Sequence, residues 1–383
     1  MTFTGPDHVW MAQALRLAAR GLYTTQPNPR VGCVIVQDDQ IVGEGWHRRA
    51  GGPHAEIFAL RAAGERARGA TVYVTLEPCG LHGRTPPCAD ALIAAGVARV
   101  VVAGEDAFQR EGGAVERLRA AGIVVECGLM RDAARELNRG FFARIERGRP
   151  WVRVKLAMSL DGRTALANGE SKWITGDAAR ADVQRWRARS SAILTGIGTV
   201  LADDPVLTVR PDSIAYADAA GSEQRIDSFS PSAAEGEGFK PLRVVLDRAL
   251  RTPLGAKLLD GTAPSLLLHA SAAAADDGRF ATIELAEVES GPSGLDLQCV
   301  LQLLAVRGVN EVQVEAGATL GGALFAAGLV DELLLYVAPV LLGDNARPLL
   351  QLPALSDMAS RWKLRVVDQR QIGEDLRLLL RKA

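Results

Sequence analysis

The stretch TVYVTLEPCGLHGRTPPCADALIAA, residues 71–95, predicts the fold of the first part of the chain. Residues 71–76 combine β-branched, aromatic and aliphatic side chains without interruption, which is typical of a buried strand. The alanine-rich residues 88–95 are typical of a helix. Cys79 closely follows the strand and Cys88 opens the helix. The stretch therefore predicts a strand, a cysteine-bearing loop and a helix in succession, as in a layered α/β fold.

The same alternation of strands and helices extends over residues 1–145. Strand patterns precede the quoted stretch in VGCVIVQ and QIVGEGW and follow it in RVVVAG and IVVEC. A chain of 383 residues exceeds the size at which single cores usually stop growing, so we expect two domains. The charged, proline-terminated segment ARIERGRP separates them. We therefore predict a first domain at 1–145 and a second domain at 146–383.

The second domain has a similar α/β pattern. Strands are predicted in WVRVKLAMSLDGRT, AILTG, VLTVR, LRVVLD, SLLLH, EVQVEAG and DELLLYVAP, with helices near 177–189, 295–306 and 319–327. Residues 211–240 are rich in serine, alanine, glycine and acidic residues and show no sustained period. We predict that this segment is a flexible surface insertion.

Composition restricts the partners and the compartment. The chain has 44 basic and 45 acidic residues and a net charge of -1, which argues against nucleic acid as the main partner. No run is apolar enough to span a membrane, and the N-terminal segment lacks the layout of a signal peptide, so we expect a cytoplasmic protein without a membrane partner. An odd count of 5 cysteines favours reduced thiols or metal ligands over disulfides.

One histidine and two cysteines suit a catalytic zinc site. His54, Cys79 and Cys88 provide three ligands and leave one coordination position open. Glu56 follows two residues after His54 and is free to carry protons. Zinc makes water nucleophilic at neutral pH, and a carboxylate can pass its proton to a leaving amine. The sequence therefore predicts hydrolytic deamination of an amidine-like ring carbon.

Three alternatives remain open for this region. His47 or His82 could complete a purely structural zinc site, and such a module could be fused to a working reductase. The H-x-E and P-C elements also match the signature of nucleic-acid base deaminases, although 8 residues rather than two separate the cysteines here. A nucleic-acid deaminase would need a basic face and would leave the second domain unexplained.

Both halves resemble one known family. The zinc motifs with QPNPRVGCVIV and GEGWHRRAGGPHAE, and then KLAMSLDGRTA, GESKWITG, TVLADDPVLTVR and VEAGATLGGALFAAGLVDELLLYVAPVLLG, closely resemble the bifunctional riboflavin-biosynthesis deaminase/reductase family. The resemblance implies a cytidine-deaminase-like three-layer N-terminal domain and a dihydrofolate-reductase-like C-terminal α/β domain. It also implies zinc-dependent deamination of 2,5-diamino-6-(5-phosphoribosylamino)pyrimidin-4(3H)-one, followed by NADPH-dependent reduction of the ribosyl group to ribityl.

The resemblance also assigns site residues. In the first domain it makes His54, Cys79 and Cys88 the zinc ligands, Glu56 the proton carrier, and Asn28, His47 and Arg84 the substrate pocket. In the second domain the implied substrate residues are Ser171, Arg187, Leu207, Arg210 and Glu315. The implied NADPH residues are Ala157, Trp173, Thr199, Asp203, Gly317, Ala318, Thr319, Leu320, Gly321, Gly322 and Ala323.

Without the resemblance, the residue pattern of the second domain predicts fewer site features. EAGATLGGA, residues 315–323, is predicted to be a strand end, a glycine-rich turn and a helix start, which could offer backbone N–H groups to a pyrophosphate. Glu315 is a candidate proton donor. A reductase of another heterocycle, such as a folate, is a further alternative. The apolar strand near 331–342 could support a homodimer or a higher homo-oligomer.

The stretch EDAFQREGGA, residues 105–114, departs from the family pattern. The family often has Asp-Pro-Asn-Pro followed by a glycine-rich turn after its fourth deaminase strand. Asp106 matches that pattern, whereas the prolines and the asparagine are missing. If that asparagine holds substrate, recognition of the ring or sugar must be arranged differently in this chain, and a weak deaminase is an alternative to a fully active one.

Overall fold

The computed structural model describes residues 3–80, 87–105, 113–210, 215–217, 223–225, 240–271, 278–291 and 294–383. The chain divides into two compact units, Met1–Gly148 and Arg149–Ala383. Each unit has its own sheet and its own hydrophobic core. No helix of the described ranges is both long and apolar enough to cross a membrane.

Unit 1 contains a five-stranded sheet in the order β2-β1-β3-β4-β5. β1 pairs antiparallel with β2 and β3, whereas β3, β4 and β5 are parallel. The strands are β1 Gly32–Gln37, β2 Gln40–Trp46, β3 Thr71–Leu76, β4 Arg99–Gly104 and β5 Val124–Cys127. The helices are α1 Gly5–Ala19, α2 Ala55–Ala63, α3 Cys88–Ala95, α4 Ala114–Ala120, α5 Arg131–Leu137 and α6 Arg139–Arg147.

Helices cover both faces of this sheet because successive strand side chains point to opposite faces. Cys33 and Ile35 of β1 are buried in one cluster with residues of α2, α3 and α4. Val34 is buried in another cluster with Met11 of α1 and Ala134 of α5. The result is a three-layer sandwich, which confirms the predicted fold class of the first half.

Two glycines of β2 allow α2 to pack directly on this strand. A Cβ atom on Gly45 would lie 2.3 Å from the carbonyl oxygen of Ala55, and one on Gly43 would lie 2.2 Å from that of Ala59. Any larger residue at either position would therefore push the helix away. This close approach fixes the first turn of α2, which carries Glu56.

Unit 2 contains a nine-stranded sheet in the order β13-β12-β11-β8-β16-β6-β17-β20-β19. The strands from β13 to β17 in this order are parallel, and β20 is antiparallel to both neighbours. Its strands are β6 Trp151–Ser159, β8 Ala192–Gly196, β11 Leu242–Leu246, β12 Ser265–His269, β13 Glu284–Glu287, β16 Glu311–Val314, β17 Glu332–Ala338, β19 Leu364–Ile372 and β20 Asp375–Lys382. The helices are α7 Asp177–Ala188, α8 Ile197–Asp203, α9 Leu297–Val306 and α10 Ala318–Ala326.

Six short strands form separate two-stranded pairs in unit 2. They are β7 Arg163–Ala165, β9 Ala215–Ala217, β10 Glu223–Arg225, β14 Ser290–Gly291, β15 Gly294–Leu295 and β18 Arg347–Pro348. β9 and β10 pair antiparallel within the predicted insertion 211–240. Most of that insertion lies outside the described residues, so its flexibility stays a prediction.

Two local predictions for unit 2 were wrong. Residues 206–210, predicted as a strand, lie outside any strand of the sheet, since Leu207 has a φ of 53° and extended pairing cannot continue through it. Residues 197–203, predicted as turn-rich, form the helix α8. The buried Val200 on this helix packs into a small apolar cluster, so tertiary packing outweighed the local turn signals.

The strand predicted to support a dimer is not available for that purpose. β17 is paired on both sides, with β6 and with β20. Both of its hydrogen-bonding edges are therefore occupied within the chain. The edge strand at this end of the sheet is β19, which belongs to a C-terminal hairpin that the sequence patterns did not predict.

Candidate active sites

The structure brings His54, Cys79 and Cys88 together. The Nδ1 atom of His54 lies 3.5 Å from the Cys79 sulfur and 3.3 Å from the Cys88 sulfur. Tetrahedral zinc with ordinary Zn–S and Zn–N bonds separates such atoms by roughly 3.5 Å. The three donor atoms therefore fit one zinc ion without rearrangement, and no carboxylate of the described residues belongs to this group.

The ends of three elements position these donors. His54 is the N-cap residue of α2, Cys79 follows β3, and Cys88 is the first residue of α3. The backbone N–H of Cys88 donates to the Cys79 sulfur at 3.1 Å. Hydrogen bonding from the Cys88 thiol, together with this backbone donor, lowers the pKa of the Cys79 thiol. These contacts favour the thiolate form that binds metal.

Glu56 lies beside the three ligands and is buried in protein. Its side chain is 3% exposed, and its Oε2 atom has no hydrogen-bond partner among the described residues. Burial raises the pKa of Glu56 to about 7. A buried carboxylate oxygen without a partner is costly, and such groups are concentrated at functional sites. Glu56 can therefore both accept and release a proton near neutral pH.

Asn28 and His47 form a hydrogen-bonded pair next to the zinc ligands. The His47 ring lies edge to face with the His54 ring, with centroids 5.6 Å apart. His47 Nδ1 lies 3.0 Å from the carbonyl oxygen of Pro53, which can only accept, so Nδ1 carries the proton. Burial lowers the pKa of His47, and its neutral Nε2 accepts from the Asn28 amide at 3.1 Å. The ring is thus committed to two hydrogen bonds and is not a fourth zinc ligand.

Some predicted features of unit 1 cannot be placed. Arg84 and His82 lie outside the described residues, as do residues 106–112 of the divergent stretch EDAFQREGGA. The predicted substrate contact of Arg84, the rival zinc ligation by His82 and the effect of the divergent stretch stay predictions.

Unit 2 has a cleft of about 1610 Å³ above the carboxyl ends of its parallel strands. Residues that follow or end β6, β8, β11 and β16 line it. Ligand sites in parallel sheets typically lie at this edge. The predicted residues that line the cleft are Ala157, Ser171, Trp173, Arg187, Thr199, Asp203, Leu207, Arg210, Glu315, Gly317, Ala318, Thr319, Leu320 and Ala323.

The lining of this cleft is strongly basic, in contrast to the whole chain. The acidic lining residues are Asp203 and Glu315 alone among the described residues. The basic lining residues are Lys155, Lys172, Arg180, Arg187, Arg210, Arg248, Arg251 and Arg347. A cleft with this excess of positive charge attracts phosphorylated ligands.

The predicted residues Arg187 and Glu315 bind each other. The Arg187 Nε and Nη2 atoms donate to the two Glu315 oxygens at 2.7 and 2.8 Å, and Nη1 donates to the carbonyl of Thr208 at 2.8 Å. Burial raises the pKa of Glu315, but the charge and hydrogen bonds of Arg187 outweigh it and hold the pKa at about 2. Glu315 is therefore ionised and is a poor proton donor, which argues against the role suggested for it.

The sequence reasoning missed Lys155, which lies in the cleft. Its ammonium group is 5.9 Å from the centroid of the Tyr336 ring and has no hydrogen bond to the described residues. Burial lowers the pKa of Lys155, although the Glu315 charge partly opposes this. A lysine in the middle of the apolar strand sequence WVRVKLAMS was the available signal. A half-buried cation in such a strand needs a partner, and a ligand could provide one.

The glycine-rich segment at 317–323 differs from the predicted turn. Helix α10 begins at Ala318, with Gly317 as an N-cap that has no side-chain hydrogen bond. Gly321 and Gly322 lie inside this helix and are not among the cleft-lining residues. A Cβ atom on Gly322 would lie 2.0 Å from the carbonyl oxygen of Gln351. These glycines allow close packing of the helix, and its first turn faces the cleft.

Comparisons with known proteins cover both units. Residues 5–104 match the cytidine and deoxycytidylate deaminase zinc-binding region, and residues 150–378 match the RibD C-terminal domain. The riboflavin biosynthesis protein RibD of Escherichia coli K12 is 47% identical over 377 residues, which cover 98% of this chain and 99% of that protein. The Haemophilus influenzae RibD is 47% identical over 381 residues, covering 99% of this chain and 98% of that protein.

Solved structures show the same full-length similarity. Acinetobacter baumannii RibD superposes with a TM-score of 0.87 at 46% identity, covering 99% of both chains. A diaminohydroxyphosphoribosylaminopyrimidine deaminase/5-amino-6-(5-phosphoribosylamino)uracil reductase from Thermotoga maritima superposes with a TM-score of 0.82 at 32% identity, also covering 99% of both chains. The similarity includes both units and the order in which they occur.

Proposed function

Because the chain belongs to the RibD family of bifunctional riboflavin-biosynthesis deaminase/reductases, we propose that unit 1 carries the deaminase and unit 2 the reductase. The protein is a zinc-dependent hydrolase and an NAD(P)H-dependent oxidoreductase. The observation that carries the proposal for unit 1 is the buried Glu56 carboxylate beside three zinc-ligand atoms, with one oxygen, Oε2, that has no hydrogen-bond partner among the described residues. For unit 2 it is the basic cleft above the parallel strands.

The proposed deaminase substrate is 2,5-diamino-6-(5-phosphoribosylamino)pyrimidin-4(3H)-one. The residues that would hold zinc are His54, Cys79 and Cys88. Zinc would lower the pKa of a water molecule, so that hydroxide is available as the nucleophile at neutral pH. Glu56 accepts a proton from the attacking water and then gives it to the leaving ammonia. A single carboxylate can do both because the proton that it accepts from the water is the proton that it gives to the leaving ammonia, which restores the ionised form.

Asn28 and His47 are proposed to position the pyrimidine ring. Because the Asn28 amide nitrogen donates to His47, the oxygen of the same amide can accept a hydrogen bond from a ring N–H or amino group. The hydrogen bond to His47 thus fixes the orientation of the Asn28 amide, with its oxygen directed to the substrate. Arg84 is proposed to contact the phosphoribosyl group.

The product of this step, 5-amino-6-(5-phosphoribosylamino)uracil, is the proposed substrate of the cleft in unit 2. When bound, the nicotinamide cofactor supplies the hydride that reduces C1 of the sugar. The backbone N–H groups in the first turn of α10, which begins at Ala318, have no side-chain cap and suit a pyrophosphate. Ala157, Trp173, Thr199 and Asp203 are proposed to line the rest of the cofactor site.

The substrate side of the cleft is proposed to be built around the pair of Arg187 and Glu315. Glu315 holds the guanidinium in place, and the remaining N–H groups of Arg187 can reach a ligand. Lys155 contributes a further donor that has no hydrogen bond to the described residues. Ser171, Leu207 and Arg210 complete the proposed substrate contacts.

A coupled assay with the purified, zinc-loaded protein tests the proposal. With the diaminopyrimidine phosphate alone, we expect ammonia release, and with NADPH added we expect oxidation of the cofactor to follow. Deamination of transfer RNA or single-stranded DNA would instead favour a nucleic-acid base deaminase. If the protein oxidised NADPH when the uracil product was added but released no ammonia from the diaminopyrimidine phosphate, unit 1 would be a structural zinc module without deaminase activity.

We further propose a cytoplasmic homo-oligomer that associates through unit 2. The edge strand β19 exposes Leu364, Val366 and Val367 at 38%, 55% and 38% of their surface. An exposed apolar edge strand is a usual place for pairing with another chain. Light scattering of the wild type and of a Val366→Lys variant would test this, with a lower mass expected for the variant.

A further inference from the structure

Residues 171–176, the cleft segment, run along the cleft of unit 2 and are held by few contacts. Residues 171–175 line the cleft and include Ser171 and Trp173 of the proposed substrate and cofactor sites. The cleft segment belongs to no helix or strand. Among its backbone N–H groups, that of Gly176 alone donates a hydrogen bond to the described residues. The position of this part of the cleft wall therefore depends on a small number of contacts.

The Gly176 N–H donates to a carboxylate of the C-terminal hairpin. The acceptor is Oδ2 of Asp375, the first residue of β20, at a distance of 2.8 Å. Gly176 is the N-cap residue of α7. In a capping box, a side chain at the third helical position accepts from the N-cap N–H, but Ala179 occupies that position in α7. Asp375 supplies this acceptor, and a negative charge at the helix N-terminus, from 199 residues further along the chain.

Further contacts fix the hairpin against α7 and so support Asp375. Gly373 in the hairpin turn has a φ of 62°, and a Cβ atom on it would lie 2.9 Å from the Cβ atom of Ala178. Arg377 lies two residues beyond Asp375 on the same face of β20, and it donates to Asp182 of α7 at 2.9 Å. The hairpin is therefore held at the first turn and at the middle of α7. Asp375 itself is 2% exposed, so water competes little for its hydrogen bond.

The other contact that holds the cleft segment comes from inside the cleft. The Arg180 Nη1 atom donates to the carbonyl oxygen of Thr175 at 2.6 Å, and the guanidinium carbon lies 4.5 Å from the centroid of the Trp173 ring. Arg180 lines the cleft, whereas Asp375 is not part of its described lining. Asp375 therefore holds the cleft segment without being available to a ligand.

We propose that Asp375 is a positioning residue of the reductase, which holds the cleft segment in the conformation that binds substrate and cofactor. This inference rests on the proposed reductase function of the cleft. Without the Asp375 carboxylate, the cleft segment would adopt further conformations, and a ligand would bind only the fraction of molecules in which it is in place. The apparent dissociation constants would rise by the inverse of that fraction, while the bound complex would keep its reacting groups.

Kinetic and binding measurements on the full-length protein test the inference. The variants are Asp375→Ala, Asp375→Asn and the matched control Glu374→Ala, which removes an exposed carboxylate from the adjacent position. For Asp375→Ala, we expect the KM for the uracil product and the Kd for NADPH each to rise about tenfold, because a hydrogen bond to a charged acceptor is lost. We expect kcat to stay within about twofold of the wild type. Asparagine retains an acceptor oxygen, so Asp375→Asn should stay within about threefold in all three constants.

The pattern across the variants separates positioning from a general effect on stability. Unchanged KM and Kd in Asp375→Ala, a fall in kcat alone, or an equal loss in Asp375→Asn or in the control would overturn the role given to Asp375. If the wild type neither bound NADPH nor reduced the uracil product, the reductase function proposed for the cleft would itself fail.

Hydrogen–deuterium exchange resolved to single residues tests the same contact and stays decisive if a variant is unstable. In the wild type without ligands, the Gly176 amide should exchange slowly and the amides of residues 172–175 rapidly. In Asp375→Ala, faster exchange should be confined to the cleft segment and the first turn of α7. Rapid exchange at Gly176 in the wild type, or faster exchange throughout unit 2 in the alanine variant, would contradict the inference.

Discussion

Replacing Glu56 by glutamine isolates the proton-transfer step of the proposed deaminase. Glutamine keeps the size of the side chain but cannot exchange protons near neutral pH. General acid–base catalysis by one side chain contributes about 10²–10⁴-fold to a rate, which corresponds to about 3–5 kcal/mol of transition-state stabilisation. Glu56 is proposed to act both as the base and as the acid, so we expect the loss in kcat to lie towards the upper end of this range.

Three measurements on the Glu56→Gln protein are needed together. Ammonia release from the diaminopyrimidine phosphate gives the deaminase rate, and metal analysis gives the zinc content. Loss of NADPH absorbance with the uracil product gives the reductase rate. Because no Glu56 oxygen belongs to the group of ligand atoms, we expect zinc to remain at the wild-type level. We expect the reductase rate to be unchanged because its cleft is formed by unit 2.

The matched control is Glu65→Gln in the turn that follows α2. Glu65 is exposed, so its replacement removes the same charge outside the site. Ammonia release by Glu56→Gln at the wild-type rate would refute the proposed proton transfer. A parallel loss of zinc would show that Glu56 supports the metal site, and the fall in rate would then have a different cause.

Three further predictions concern burial, the cleft and helix packing. In metal-free protein, the pKa of Glu56 is raised by burial from 4.5 to about 7, so wild-type stability falls relative to Glu56→Gln as pH rises between these values and levels off above them. Denaturant unfolding of both proteins between pH 4 and pH 8 should give a difference of about 3 kcal/mol at the upper end. Lys155→Met should lower kcat/KM of the reductase by at least about tenfold because a hydrogen-bond donor in the cleft is lost, and ammonia release should continue. An unchanged kcat/KM would show that Lys155 does not contact the substrate. Gly322→Ala places a Cβ atom 2.0 Å from the Gln351 carbonyl oxygen and should cost about 1–3 kcal/mol in thermal unfolding, whereas Gly255→Ala, with open space around it, should cost less than about 0.5 kcal/mol. Equal melting temperatures for the two glycine variants would contradict the packing argument.

The sequence alone predicted the features that depend on short stretches of chain. The strand at 71–76 and the helix at 88–95 appear with the predicted bounds, and the three zinc ligands meet at the ends of their elements. Side-chain size and hydrophobic periodicity act over a few residues, so they can be read without knowing the fold. Motifs in both halves also carried the family resemblance.

Local patterns failed where distant contacts outweighed them. Residues 197–203 form a helix because Val200 packs into a cluster with residues of β11 and β12. Leu207 leaves the extended conformation within a stretch that reads as a strand. The residues that pack against these segments lie far along the chain, so a short stretch of sequence does not include the contacts that outweigh its local propensity.

Tertiary structure alone decided the electrostatics of the sites. Arg187 and Glu315 are 128 residues apart in sequence, and the order of β8, β16 and β6 in the sheet brings their side chains into a bidentate pair. Packing in unit 1 likewise buries Glu56 and raises its pKa. Residue type supplies the charge, but its pKa and its partner depend on solvent exclusion and on neighbours, which only the assembled fold determines.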